Sequence, residues 1–347
     1  VSGVVFSNSV LKTPTSDQRI PRLHPITVNK PKGCDTMSNL ETLVQEPVTE
    51  TAPAPESGKP EKKKKRRSTM RRVKTISPMA MISPFIMNTR TGSQNLITDR
   101  IPVAKLEKYL KEKQAEGMKN VSMMHLLIAA YVRTAAQRPA LNRFIRGQRV
   151  WTRDEVEIAL TIKKEMSLDS PDTVVKITVP RDATLEVIYE ELNRVITEYR
   201  DNPGGDFDDT AKALSYFPSV ILKFVVWLLK LLDYFNLLPK FLTNLSPFHC
   251  SFFITSMGSL GIPPVFHHLY DFGTCPVFVS FGAKQRSYEV NPDGSVYKHS
   301  YMDLTVVTDE RICDGYYFAS SLKLMKGILR NPWQLDEKPE TVKEDIR

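Results

Sequence analysis

The chain has 347 residues, of which 41% are hydrophobic, so it is long enough to bury a sizeable core in one large or two modest domains. Its net charge of +9 equals the charge of one run, 62–74, which holds nine lysine and arginine residues and no acid. Such a run is typical of a solvated linker, and the rest of the chain is close to neutral, so the charge argues against a nucleic-acid-binding protein.

The four cysteines and six histidines are scattered along the chain, and neither CxxC nor HExxH spacing occurs. We therefore expect no metal site and no disulfide framework. Reduced thiols are typical of the cytoplasm, where we expect this protein to reside. The N-terminus has no positively charged start followed by an apolar core, which argues against a secretory signal.

Residues 1–70 form the first segment, which is rich in Pro, Ser, Thr and Glu and ends in the basic run. A stretch such as "VTETAPAPESGKPEKKKKRR" has too few apolar residues to offset the entropy of ordering, so we predict a disordered arm. The chain opens with Val1, and Met37 is an alternative start. We expect a folded domain over 71–335 and a C-terminal tail over 336–347.

Two helices come next in the chain. "PVAKLEKYLKEKQAEG" places Leu106 and Leu110 on one face, with Pro102 in the first turn and Gly117 as the stop. "SMMHLLIAAYVRTAAQRP" begins at a capping Ser122 and is apolar around most of its circumference. This second helix is therefore predicted to lie at the centre of the fold.

Two strands and a third helix follow. "EVEIALTIKK" and "TVVKITVP" alternate apolar and polar residues, which is typical of strands with one buried face. "TLEVIYEELNRVITEYR" returns to helical spacing, and "NPGGDFDD" after it predicts a loop.

The most hydrophobic part of the chain is the run 217–242, which lies in a predicted helical insertion at about 205–245. Lys223, Lys230 and Asp233 interrupt this run, so no uncharged stretch approaches the roughly 20 residues that a membrane span requires. These charges form a narrow polar stripe at helical spacing. The pattern favours a helix packed on the domain or on a neighbouring subunit, with contact to one membrane leaflet as the alternative.

The last part of the chain is rich in strands, namely "SFFITS", "PVFVSFGA" and "RSYEVNPDGSVYKHSYMDLTVVTD". The turn residues at 291–294 divide the third stretch into a hairpin, and a helix over 316–329 closes the domain. Helices followed by hairpin-linked strands predict an α+β fold with a mixed, largely antiparallel sheet.

Two segments of this last part carry a family resemblance. "LTVVTDERICDGYYFASSLKLMKGILRNP" and the earlier "FFITSMGSLGI" together resemble the catalytic core of the acyltransferase component of 2-oxoacid dehydrogenase complexes. The family signature is a strand ending in Asp-His-Arg, two variable residues, Asp-Gly and a helix, with an earlier Thr or Ser before a Gly-x-x-Gly turn. "RPALNRFI" and "VWTRDEVEIALTIKK" match two further family segments. The resemblance covers about 72–332.

The resemblance implies a two-layer fold like that of chloramphenicol acetyltransferase. It also implies direct transfer of an acyl group to or from the thiol of coenzyme A without a metal, in a homotrimer or higher oligomer with the site at a subunit interface. Thr255, with Ser256 as the alternative, matches the hydroxyl that donates to the oxyanion. Asp314 matches the aspartate that holds the geometry through an ion pair, and Gly258 and Gly315 match turns beside the coenzyme.

Glu310 stands where the family has its histidine base. A general base works best with a pKa near the working pH, which histidine meets without help. A glutamate has a pKa near about 4.3 and a thiol one near about 8.5, so a glutamate base requires burial. Alternatively, Asp309 and Arg311 hold Glu310 ionised, and the chain is a catalytically impaired oligomeric scaffold or regulatory relative.

Two histidines are further candidates for the base. His267 and His268 follow the Gly-x-x-Gly turn and lie close in sequence to Thr255. One of them could supply the missing imidazole within the chain or to a neighbouring subunit, and a structural role is the alternative. Cys313 is predicted to be a small apolar filler, because no residue beside it is basic and titratable at neutral pH.

The N-terminal segment bears on the acyl acceptor. A complete acyltransferase component carries lipoyl domains with a modified lysine in an Asp-Lys-Ala turn, and no such turn occurs in 1–70. We therefore expect either a lipoyl group supplied by a partner protein or a small-molecule acceptor, with acyl-coenzyme A as the other substrate. We expect no nucleic acid, no metal and no transmembrane span.

Overall fold

The computed structural model describes residues 70–163, 172–201 and 216–346. The predicted disordered arm lies outside these residues except for its last position, and the predicted loop "NPGGDFDD" lies outside them entirely. The described part contains seven α-helices: α1 (Pro78–Ile86), α2 (Ala104–Ala115), α3 (Met123–Gln137), α4 (Leu185–Asp201), α5 (Ser219–Tyr234), α6 (Lys240–Leu245) and α7 (Gly315–Arg330).

The strands of the described residues form two sheets. They are β1 (Met70–Arg72), β2 (Gln94–Pro102), β3 (Arg143–Arg146), β4 (Arg149–Arg153), β5 (Glu155–Lys163), β6 (Asp172–Pro180), β7 (Phe252–Ser256), β8 (Val277–Val290) and β9 (Val296–Asp309). The small sheet has the order β1-β4-β3, and the main sheet has the order β2-β9-β8-β7-β5-β6. In the main sheet β7 runs parallel to β5 and β8, and the other pairings are antiparallel. The predicted α+β fold with a mixed, largely antiparallel sheet is confirmed.

The main core lies between the large sheet and a layer of helices. Leu126, Ile128 and Val132 of α3 are fully buried in it, and α3 contacts both α4 and α7. The helix that is apolar around its circumference is thus central, as predicted. A smaller apolar cluster, which includes Phe253 and Phe278, covers the opposite face of the main sheet.

The start of α2 corrects one prediction. Pro102 is the last residue of β2 and not part of a helical turn, because α2 begins only at Ala104 with Val103 as its N-cap. Strand β2 pairs along its whole length with β9 at the edge of the main sheet, where a terminal proline removes no ladder bond. The sequence patterns also did not predict α1 or the small sheet.

The hydrophobic run forms a helix, as predicted. It contains α5 and the first residues of α6. Within α5 the buried residue is Asp233, whose carboxylate lies 3.1 Å from Arg146 Nε and 3.3 Å from His249 Nε2. In the three described ranges, no helix combines the length and the apolar character that a membrane span needs.

His125, in the first turn of α3, makes the stability of the protein depend on pH. The Ser122 N–H donates to His125 Nδ1 at 3.2 Å and so forms one half of a capping box. Burial lowers the pKa of His125 to about 4, so the unfolded chain takes up this proton at a higher pH than the folded chain does. Stability contributed by the neutral imidazole is therefore complete above the unfolded pKa and is lost as the pH falls below it. We expect a loss of about 3 kcal/mol in unfolding free energy between about pH 6.5 and about pH 4.

His125→Gln tests this expectation, because glutamine also suits this capping position but cannot be protonated. Urea unfolding of both proteins across this pH range should show a shallower pH dependence for the variant. If the unfolding free energy of both proteins fell equally steeply with pH, carboxylates alone would cause the loss of stability.

Candidate functional site

The segment "TDERICDGYY" forms a corner between β9 and α7. Asp309 ends β9, and the next residue, Glu310, donates its N–H to the carbonyl of Ser93 at 2.8 Å. Asp314 is the N-cap of α7, and its carboxylate accepts from the Tyr317 N–H at 2.7 Å. A carboxylate at this position satisfies a donor that the first helical turn leaves open. Backbone hydrogen bonds therefore fix both ends of the corner.

A buried ion pair lies directly beneath the corner. The guanidinium of Arg311 donates to both carboxylate oxygens of Asp309 at 2.8 Å, and Arg90 Nε lies 3.5 Å from the same carboxylate. Arg311 also donates to the carbonyl of Met87 at 2.8 Å. The family resemblance implied an ion pair at Asp314. In the described residues Asp314 instead caps a helix, and Asp309 forms the ion pair.

Glu310 is exposed, as are Asp314, Gly315 and Tyr316 farther along the corner. Arg311 donates two hydrogen bonds to Asp309, and their ion pair therefore forms without Glu310. Glu310 lines a cavity of about 360 Å³ together with Asp314. Apolar side chains supply most of the remaining wall, namely Ile76, Met79, Ala80, Met87, Ala140, Val150, Ile312 and Ile346. The cavity can therefore hold an apolar chain with a carboxylate at its edge.

Cys313 lies in the wall of the same cavity, between Glu310 and Asp314. Burial raises the pKa of its thiol to about 12, so the reactive thiolate is disfavoured at neutral pH. This agrees with a filling role for the side chain. Among residues 70–163, 172–201 and 216–346, no three or more His, Cys, Asp or Glu side chains are grouped to hold a metal ion.

Thr255 and Ser256 end β7 on opposite faces of the main sheet, since successive strand residues alternate. Phe252 and Ile254 belong to the core beneath the helices, whereas Phe253 belongs to the cluster on the other face. Thr255 therefore shares the face of Phe253, and Ser256 shares the helix side. Both hydroxyl residues are half-buried, so either can meet a ligand at the end of the strand.

The two candidate glycines differ in their surroundings. Gly258 begins a short 3-10 turn after β7, where an added Cβ would lie 3.0 Å from the carbonyl oxygen of Gly282 on β8. Glycine there permits the turn to approach the neighbouring strand closely. Gly315 is the first residue of α7, and an added Cβ would meet no described atom within 4 Å. This position borders open space and is not required by packing.

Thr255 and Glu310 are far apart within one chain. Thr255 pairs with Ser280 of β8, and Ser280 pairs with Thr305 of β9. Glu310 lies five residues beyond Thr305, which corresponds to about 16 Å along the strand at about 3.3 Å per residue, and two strands away at about 4.8 Å per strand. A single copy therefore cannot bring this hydroxyl and this carboxylate to one reacting atom.

His267 lies on the same sheet face as Thr255 but is also separated from it. Its Nδ1 is 2.7 Å from the carbonyl oxygen of His268, which can only accept, so Nδ1 carries the proton and Nε2 is the basic nitrogen. Burial lowers the pKa of His267 and favours this neutral ring. The ring stacks on Phe278 at 4.2 Å, and Phe278 stacks in turn on Phe253 at 4.8 Å. Phe278 thus lies between His267 and the strand that carries Thr255.

A second cavity, of about 420 Å³, shares Arg311 with the first. Four basic side chains line it, namely Arg90, Arg146, Lys230 and Arg311, against the two acids Asp233 and Asp271. Asp309 pairs with Arg90 and Arg311, so with Asp309 counted the basic side chains exceed the acids by one, and this excess suits the cavity to an anionic group.

The sequence patterns did not identify Arg90 or α1 as parts of the site. Arg90 precedes Asp309 by more than 200 residues, and it is placed by carbonyls of Tyr270 and Gly273 at 2.6 and 2.9 Å. The spacing of residues within a short stretch of sequence does not indicate contacts between residues so far apart in the chain. The dipeptide Ser77-Pro78, which caps and opens α1, was the available signal for the helix that walls the first cavity.

No protein-family model and no curated protein matches the sequence. The similarities found are to solved structures. A probable dihydrolipoamide acetyltransferase from Listeria monocytogenes has 13% identity and a TM-score of 0.48 over 74% of this chain and 94% of that one. A dihydrolipoamide acetyltransferase from Azotobacter vinelandii has 13% identity and a TM-score of 0.47 over 75% and 93%. A chloramphenicol acetyltransferase has 11% identity and a TM-score of 0.41 over 72% and 93%. These are likenesses of fold and assign no activity to this chain.

Proposed function

We propose that this chain transfers an acyl group between the thioester of coenzyme A and a second acceptor, at a site completed by two copies of the chain. One copy contributes Thr255, and the other contributes the corner with Glu310 and Asp314. The acceptor is a lipoyl group supplied by a partner protein or a small molecule. The observation that carries the proposal is the separation of Thr255 and Glu310 within a single chain. Both are accessible, but neither lies near the other.

The proposed chemistry needs only a base and a hydrogen-bond donor. Glu310 takes the proton of the coenzyme A thiol while the sulfur bonds to the acyl carbon, and the carbonyl electrons move to oxygen. Thr255 donates a hydrogen bond to this oxyanion. Collapse of the intermediate breaks the bond to the leaving thiol, which recovers the proton from Glu310. Asp309 and Arg311 hold the corner in position and take no part in the proton transfer.

The second copy has a further role in this proposal, because a carboxylate abstracts a thiol proton efficiently only when water is excluded. Helix α1 beside the corner exposes apolar side chains, among them Met79, Ile82, Phe85 and Ile86, which are 51–68% exposed. A neighbouring copy that covers them would also desolvate Glu310. This favours a homotrimer or higher oligomer as the active species.

The two cavities suit the two chemically different ends of an acyl-coenzyme A molecule. The apolar cavity beside Glu310 matches the uncharged arm and acyl group, and the basic cavity matches the phosphates. Arg311 borders both.

Binding of acetyl-coenzyme A tests the proposal most directly. We expect calorimetry on the full chain to show saturable binding that Ala80→Trp abolishes, because Ala80 lines the apolar cavity and the indole would fill it. Ala319→Trp is the matched control, since Ala319 is an exposed residue of α7 that does not line the cavity. Absence of binding by the unmodified protein would remove coenzyme A as the substrate, and equal binding by Ala80→Trp would place it elsewhere.

The second candidate function is a non-catalytic oligomeric scaffold or regulatory relative. The exposure of Glu310, which stands in the position of the family's histidine, favours it. A scaffold should form the same oligomer in analytical ultracentrifugation yet transfer no acyl group from acetyl-coenzyme A to dihydrolipoamide. Transfer that depends on Thr255 would exclude this alternative.

A further inference from the structure

Helices α5 and α6 and the turn between them expose a concentration of large apolar side chains. Val220, Phe224, Trp227, Phe235 and Phe241 are each 55–79% exposed, and we call these five residues the apolar face. At about 100° per residue, the three members on α5 lie within about 60° of one another on the outward side of the helix. Exposed apolar patches of this kind mark an interaction surface.

The orientation of the apolar face is fixed by the opposite side of α5. Asp233 is 7% exposed, forms an ion pair with Arg146 of β3, and lies 3.3 Å from Nε2 of His249 ahead of β7, whose pKa burial lowers. Burial alone would raise the pKa of Asp233, but the neighbouring His249 and Arg146 outweigh it and hold the pKa below its usual range. The helix is therefore attached to the domain through a charged residue, with its aromatic side chains directed outward.

The charges around the apolar face are of one sign. Lys223 and Lys230 are exposed and seven residues apart, so they lie on the same edge of the face, and Lys240 is exposed at the start of α6. Asp233 is the acid among residues 216–245, and it is buried in its ion pair with Arg146. Two copies meeting symmetrically through this face would bring lysines together without an exposed acid to pair with them. An anionic surface is the complementary partner.

We infer that the apolar face binds an anionic lipid surface, with α5 lying in the plane of the interface. Aromatic and aliphatic side chains enter the boundary of the acyl chains, and the lysines at the edge reach the head groups. The 16 residues of α5 extend about 24 Å, and no helix in the described part is suited to span a membrane, so the contact is peripheral. This inference does not depend on acyl transfer.

Vesicle co-sedimentation of the full chain tests the inference. We expect binding to vesicles of phosphatidylcholine with phosphatidylserine, and weaker binding to phosphatidylcholine alone. The double variant Phe224→Glu, Trp227→Glu should bind the anionic vesicles at least tenfold more weakly. The matched control is Tyr288→Glu, Val290→Glu, which places the same charges on exposed residues of the β8–β9 hairpin and should bind as the unmodified protein does.

Two further variants separate the parts of the contact. Lys223→Glu should weaken binding to the anionic vesicles by about fivefold or more, since each lysine near an anionic surface contributes about one kilocalorie per mole. Brominated lipid should quench the tryptophan fluorescence of bound protein. Trp227→Phe should keep the binding and lose most of this quenching, because phenylalanine preserves the apolar contact and removes the reporter.

Several results would overturn the inference. One is failure of the unmodified protein to bind either vesicle. A second is equal binding by the Phe224→Glu, Trp227→Glu variant, which would assign the contact to the basic run 62–74. A third is an oligomer that this double variant dissociates without any vesicle binding by the unmodified protein, which would make a second copy the occupant. Circular dichroism should confirm that each variant is folded, as expected for exposed positions.

Discussion

Replacing Glu310 with glutamine is expected to lower kcat for acyl transfer from acetyl-coenzyme A by about 10²–10⁴-fold, the range for loss of a general base. The unfolding free energy should change by no more than about 0.5 kcal/mol, because Glu310 is exposed and the buried pair beneath it forms between Arg311 and Asp309. Stopped assays of thioester formation, with urea unfolding of the same samples, measure both quantities. Lost activity at unchanged stability is the signature of a catalytic carboxylate.

Glu289→Gln is the matched control for this substitution, since Glu289 is an exposed glutamate of the β8–β9 hairpin. It should leave kcat unchanged. Full activity in the Glu310→Gln protein would contradict the assignment, and loss of activity in His267→Gln would then move the base to the imidazole whose Nε2 is free to accept a proton. A dissociated oligomer, with no transfer by either protein, would instead support the scaffold.

Much of the fold could be predicted because its signals are local. Ser122 caps α3 through a hydrogen bond within one turn, and the turn residues at 291–294 join β8 to β9. Such features depend on neighbouring residues and are therefore visible in a short window of sequence. The alternating strands β5 and β6 likewise appear where their apolar periodicity indicated.

The elements that were not predicted depend on distant partners. Strand β2 contains Asp99 and Arg100 near its middle and has a weak apolar pattern, yet it pairs fully with β9 some 200 residues later. Helix α1 has Pro84 in its interior and exposes much of its apolar surface. Neither the edge position of β2 nor the covering of α1 can be inferred from local periodicity.

The candidate site shows the same division. Asp314 as a helix cap follows from the residue type and the helix after it. The spacing of Thr255 and Glu310 in sequence, however, carries no information about their separation in space, because strand order and register decide it. Sequence could therefore name the groups, but their separation within one chain emerged only from the sheet topology.

The largest expected effect on stability is that of Asp309→Asn, which should lower the unfolding free energy by about 3–5 kcal/mol. Asp309 is 0% exposed and accepts both hydrogen bonds of Arg311, with Arg90 as a second buried cation. Asparagine keeps the shape of the side chain but leaves two buried guanidinium groups without a counter-charge. Urea unfolding at neutral pH measures the loss, and the corner that carries Glu310 should lose its fixed geometry in the same variant.

A matched substitution separates burial from charge pairing as the cause. Asp303→Asn breaks the pair with Arg100, whose side chain is 58% exposed, so it should cost less than about 1 kcal/mol. Adding Arg311→Met to Asp309→Asn should cost less than the two single changes combined, because one uncompensated charge is then removed. Strict additivity would indicate that Asp309 stabilises the corner through its contacts alone, and the buried ion pair would then not be what holds Glu310 in place.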